Sequence, residues 1–275
     1  MMTDSLIRQD LAGAAAIADR DWRLFLSYRM DLLMTVAAAA AMVIGLFFMD
    51  RVVGESPAMG AYAGRYFEFA IIGIVFLTLV DVGLDTFGGS LSAEQRAGTL
   101  EMLLVSPTRL PALLAGMLLF PLSSVIVSLG VYLATAVLFL GARFEPAGIL
   151  PALLILSLTL VTFAGVGAMS AAVIIITKRG DPIGAVAAQT ATVLGGALFP
   201  VSVLPEWLAV IARLFPPYHG LEAMRAVLIE GASMTDIGSE LMILTAFALV
   251  LLPSGLWMFS RALRLARQLG TLSTY

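Results

Sequence analysis

SAEQRAGTLEMLLVSPTRL, Ser92–Leu110, is the one long charge-bearing interruption between apolar segments in the first half of the chain. Ser92 followed by Gln95 makes a capping box, which starts a short helix over 93–97. Gly98 loosens that helix. Thr99 caps a further turn in which Leu100, Leu103 and Leu104 form one apolar stripe, with Glu94, Arg96 and Glu101 on the watery side and Pro107 ending the run. A stripe that rests on a membrane while its charges meet a partner is a docking surface, not a catalytic centre.

What flanks this stretch fixes the class of protein. Of the 275 residues, 60% are hydrophobic and 13% charged, with a mean hydropathy of +0.98; soluble domains carry about 25% charged residues. The chain reads as a polytopic membrane protein. A net charge of -3 and a single lysine, Lys178, exclude the basic face of a nucleic-acid binder. The absence of cysteine excludes disulfides, thiolate metal sites and cysteine nucleophiles. The N-terminus lacks the features of a cleaved signal peptide, so the first span is expected to insert and stay.

Upstream, residues 3–29 place Leu6, Ile7, Leu11, Ala14, Ala18, Trp22 and Phe25 on one helical face, the pattern of an interfacial amphipathic helix. Six spans are expected: 32–49, 67–87, 111–140, 149–177, 183–199 and 241–259, the long third and fourth tilted or kinked near Pro121 and Pro151. The segment 200–231 is too polar and proline-broken to cross, yet too apolar for an ordinary loop. It reads as two half-buried helices, with Pro205 at a first helical position, Pro216–Pro217 between them, Gly231 as a stop, and Glu222 paired to Arg225 at i,i+3. Of the basic residues only Arg51, Arg65, Arg143, Arg213 and Arg225 fall on one side. By the positive-inside rule, both termini and the Ser92–Leu110 stretch are expected in the cytoplasm and 200–231 outside.

No ATP-binding loop GxxxxGK[ST] occurs, so any ATP is expected to be hydrolysed by another chain. Glu94, Gly98, Thr99, Leu100 and Glu101, in EQRAGTLEMLLVSP after the second span, resemble the cytoplasmic motif of type-2 ABC transporter permeases. Leu204, Pro205, Glu206, Trp207, Pro217, Glu222, Arg225 and Gly231 resemble that family's external re-entrant segment before its last helix. The resemblance covers nearly the whole chain. It implies an all-helical membrane permease with no catalytic or metal site and no cofactor of its own, ATP and magnesium residing on the partner. It also implies two permease chains, identical or related, in the inner or plasma membrane, joined to two copies of a cytoplasmic ABC ATPase and exporting an amphipathic molecule or polymer. The 92–108 loop would then be the coupling helix, with Glu94, Arg96, Gly98, Thr99, Leu100 and Glu101 at the docking surface. By spacing alone these charges make a solvated loop; the resemblance turns the reading to docking.

Other residues carry weaker signals. Asp81 and Asp85, four apart on the second span, either line a cavity or move protons, or else pair at the interface with arginines of the N-terminal helix or coupling loop. Gln189, Thr190 and Thr192 either line a pathway or bond their own helix backbone. His219, the only histidine, is expected to be structural and outside the membrane. Trp22, Trp207 and Trp257 fit an aromatic belt, and Arg261, Arg264 and Arg267 fit an anchor to anionic lipid. Mostly aliphatic spans lean toward a lipid-like or drug-like substrate. Two rival functions follow from the same residues: a proton-coupled carrier using Asp81 and Asp85, and an intramembrane enzyme that adds His219, which the expected topology sets on the other side of the bilayer.

Overall fold

A computed structural model describes residues 23, 29–97, 125–177 and 181–268. Among them the regular structure is helical: α1 (Arg29–Val53), α2 (Tyr66–Ala97), α3 (Val125–Phe139), α4 (Ile149–Thr177), α5 (Pro182–Val193), α6 (Glu206–Ala212), α7 (Pro216–Leu228) and α8 (Gly238–Gln268). Four stretches are long and apolar enough to cross a membrane: Leu33–Val53 in α1, Tyr66–Phe87 in α2, Pro146–Thr177, which is α4 with the turn before it, and Gly238–Ala266 in α8. The expected interfacial helix over 3–29 lies outside the described residues except for Arg23 and Arg29, as do Pro121 and the first part of the third span.

The centre of the bundle is α4, which packs along α8 on one side and α2 on the other. Lipid tails are as apolar as leucine, so helices in a bilayer associate through close backbone approach instead of apolar burial. Gly165 and Gly255 supply that approach, since a Cβ on Gly255 would lie 2.1 Å from the Gly165 carbonyl oxygen. Buried Ala164, Ala168, Ala171 and Ala172 continue the seam against Phe259, Ala262 and Leu263. Buried threonine hydroxyls within the spans are satisfied locally. Thr86, Thr159 and Thr162 donate to the carbonyls of Val82, Ile155 and Leu158, four residues back.

Three expectations are corrected. The short helix expected to begin at Ser92 is instead the end of α2, which runs unbroken for 32 residues, about 48 Å. Gly88 and Gly89 weaken a helix by only about 1 kcal/mol each, less than enough to interrupt a hydrogen-bonded ladder already under way. Pro151 lies in the first turn of α4, where its missing N–H was without an intrahelical partner in any case, so it makes no kink. The fifth expected span is helical only over Pro182–Val193, about 18 Å, and then breaks into turns at Gly195 and Gly196, the latter at φ 71°. Asp181 caps that short helix, its Oδ1 accepting from Gly184 N at 2.7 Å and from the Ser170 hydroxyl of α4.

Candidate functional site

The break after α5 creates the most unusual place in the molecule. Turns at 194–199 leave carbonyls pointing into the bundle, and α7 brings a cation to them. Arg225 is fully buried; its Nη2 donates to the carbonyls of Gly196 at 2.8 Å and Ala197 at 2.9 Å. The central carbon of its guanidinium lies over the Phe69 ring on α2, 3.4 Å from the ring centre. Among the described residues Nε and Nη1 have no hydrogen-bond partner. Burial lowers the Arg225 pKa to about 10, with Glu222 and Tyr62 opposing, so the group keeps its charge at neutral pH. Gly73 makes the approach of the broken segment possible, because a Cβ there would lie 1.9 Å from the Ala197 oxygen.

Arg225 therefore does something the sequence did not disclose. Its hydrogen bonds go to backbone 28 and 29 residues away, while Glu222, its expected i,i+3 partner, acts on it through charge. Arg225 itself was singled out in the sequence; its partners Phe69 and the carbonyls at Gly196 and Ala197, and the close approach at Gly73, were missed. A lone arginine in an apolar segment was the signal available; the positions of the carbonyls it serves depend on a chain break that hydropathy does not register.

The helix bearing Arg225 enters the bundle. Gly220 is close to the Phe76 ring and the Thr159 hydroxyl, with a Cβ there 2.5 Å from the ring. Phe76 and Thr159 each lie ten residues into their helices, about 15 Å from the first residue. His219 sits next to Gly220, half-buried, its Nε2 donating to the Arg213 carbonyl at 2.8 Å. The opposite end of the cap is fastened to the span ends, Arg65 Nη1 donating to the Ile229 carbonyl at 2.8 Å and Glu145 N to the Leu228 carbonyl at 2.9 Å.

Between α6, α7 and the 57–62 turn is a polar cavity of about 370 Å³ lined in part by Tyr62, Arg213, Tyr218, Glu222 and Glu230. Burial raises the Glu222 carboxyl above the usual range; Arg225 opposes this, Glu230 and Glu240 add to it, and His219 opposes it. Burial likewise pushes the Tyr62 hydroxyl up, reinforced by Glu222 and Glu230. Pro205, expected at the first helical position, is instead the N-cap of α6, one residue earlier, with Glu206 and Trp207 exposed after it. Trp257 is exposed on α8, with the Arg261 guanidinium 5.2 Å from its ring centre.

The remaining candidates are scattered. Asp81 and Asp85 are exposed on α2, away from the face packed on α4. Gln189 is exposed on α5, while Thr190 and Thr192 donate to the carbonyls of Val186 and Ala188 at 2.7 and 2.9 Å. Glu94 and Arg96 fall on the last turn of α2. Gly98, Thr99, Leu100 and Glu101 lie outside the described residues.

Comparison with known proteins adds one match. No curated protein matches the chain. The family profile described as ABC-2 type transporter matches residues 14–229, from the expected interfacial segment through α7. A match over most of the chain, on an all-helical protein with long apolar spans, settles the class: the chain belongs to the ABC-2 type transporter family and is a membrane-embedded permease subunit of an ABC transporter.

Proposed function

We propose that this permease works as half of an ATP-driven exporter. Two such chains, or this one and a relative, span the membrane together, and two cytoplasmic ABC ATPase subunits dock on the 92–108 loops. Glu94, Arg96 and Glu101 supply the charged contacts, with Gly98, Thr99 and Leu100 shaping the turn that enters the ATPase. Both termini face the cytoplasm, the α6–α7 cap faces outward, and the cargo is hydrophobic or amphipathic.

The observation that carries this reading is the unbroken α2. A helix of 32 residues is a stiff rod, and its last turn begins the docking stretch. Its other end holds Phe69 and Gly73 against the Arg225 guanidinium and the Ala197 carbonyl. Closure of an ATPase pair on ATP would move the docked end, and a rigid α2 would deliver that motion to the outward cap without loss in a flexible joint. The family's usual pairing with a cytoplasmic ABC ATPase supports the partner.

Charge reversal at the docking loop tests the proposal. Glu101→Arg is expected to abolish the coupling of ATP hydrolysis to transport in the reconstituted complex while the chain unfolds at its usual temperature. Coupling at the wild-type level would sink the docking assignment; a proton-driven carrier would be indifferent to the change.

A further inference from the structure

The structure assigns a second site to the same side of the bundle as the cap: an apolar crevice of about 630 Å³ between α2, α3 and α4, which we propose holds one acyl chain of a membrane phospholipid, with its phosphate at Arg143. The volume falls within the ~300–1,000 Å³ usual for ligand pockets. Its walls are Ile72, Val75, Leu129, Leu133 and Leu156, and Arg143 is the one charged residue among its lining. Val75 and Leu156 lie about 13 and 10 Å along their helices from Tyr66 and Ile149. The crevice thus reaches about as deep as one leaflet of a ~30 Å hydrocarbon core.

Its rim shows what has access. Ile126, Leu133, Val137, Ile149 and Leu153 border the crevice and are all exposed. Exposed aliphatic side chains on a membrane-embedded bundle are suited to contact with lipid tails, so the crevice is open sideways to acyl chains, whereas the polar cavity beside the cap is a separate space. Apolar character alone confers no preference for a bound chain over a free one, because the surrounding tails are equally apolar. Selection must come from the mouth. There the Arg143 side chain offers a planar fork of donors matched to a phosphate, while its backbone N–H donates to Glu68 at 3.2 Å and holds the loop in place.

Gly130 makes the site testable. It lines the crevice, and a Cβ built on it meets nothing within 4 Å, so a larger side chain there would fill the crevice instead of pushing helices apart. Gly45 on α1 is equally open and lies outside the crevice lining, which makes it the matched control. The inference needs only a membrane-embedded chain and is independent of the direction of transport.

The experiment reconstitutes the full chain in vesicles of phosphatidylglycerol containing diacylglycerol, re-extracts it gently and weighs it by native mass spectrometry. The wild type is expected to keep one phosphatidylglycerol and to leave diacylglycerol behind. Gly130→Phe should reduce that retention several-fold and Arg143→Gln should erase the preference over diacylglycerol, with Gly45→Phe matching the wild type. Leu133→Trp fills the crevice from a second position should Gly130→Phe fail to fold. Lipid retained at the wild-type level by the crevice-filling variants would overturn the proposal. So would a wild type that keeps no lipid or does not discriminate, or an equal loss in Gly45→Phe.

Discussion

The guanidinium of Arg225 lies 3.4 Å from the centre of the Phe69 ring, joining the re-entrant helix α7 to the long span α2. With the two carbonyls that Nη2 serves, this contact converts a broken fifth segment into a fixed part of the bundle. Arg225→Met should leave the Gly196 and Ala197 carbonyls without that donor at a cost of about 3 kcal/mol. Arg225→Lys should restore little, since an ammonium lacks the flat face and the fork. Thermal unfolding of the purified chain measures both, and a double-mutant cycle with Phe69→Leu should return a coupling of about 1 kcal/mol.

The seam between α4 and α8 depends on Gly255 having no side chain. Gly255→Leu must displace the Gly165 carbonyl, only 2.1 Å from the position of a Cβ, so the folded yield should fall sharply. Gly130→Ala is the contrast, expected to gain about 0.5–1 kcal/mol from helix propensity in open space. Size-exclusion profiles and unfolding temperatures of the two variants check the pair.

Stability near the cap should depend on pH through Glu222, on the non-spanning helix α7. Burial holds its carboxyl above the ordinary glutamate range. The folded chain therefore binds this proton more tightly than the unfolded chain. The stability that the proton carries is full below the unfolded value and is lost as pH rises through the raised folded value. Glu222→Gln should raise the unfolding temperature relative to wild type at about pH 8 and change it little near pH 4. Asp236 carries the opposite sign: hydrogen bonds from Ser233 hold its carboxyl low, so its contribution is present above the ordinary aspartate value and is lost as pH falls. Asp236→Asn should therefore differ from wild type at neutral pH and converge with it in acid.

Four of the six expected spans were legible because a bilayer demands long apolar helices, and the fourth falls at 149–177 both in the sequence and in the structure. The fifth was overextended for the same reason: apolar residues continue to Phe199, while the turn at Gly196 is set by backbone conformation that hydropathy does not weigh. Ser92 was misread as a helix start because a capping pattern also occurs inside helices, where the ladder has already satisfied the donors it would serve. Arg225 could be singled out from its residue type and its place in the family-like segment. Its partners could not, because Phe69, Gly196 and Ala197 reach it only through the tertiary fold.

In the proposed function a separate ATPase drives this permease through the loop that follows α2. Native mass spectrometry of the tagged chain, purified gently from its own host, addresses it most directly. A nucleotide-binding protein should be bound at equal stoichiometry and lost from the Glu101→Arg variant. A wild-type chain that emerges from several mild detergents with no nucleotide-binding partner would contradict it.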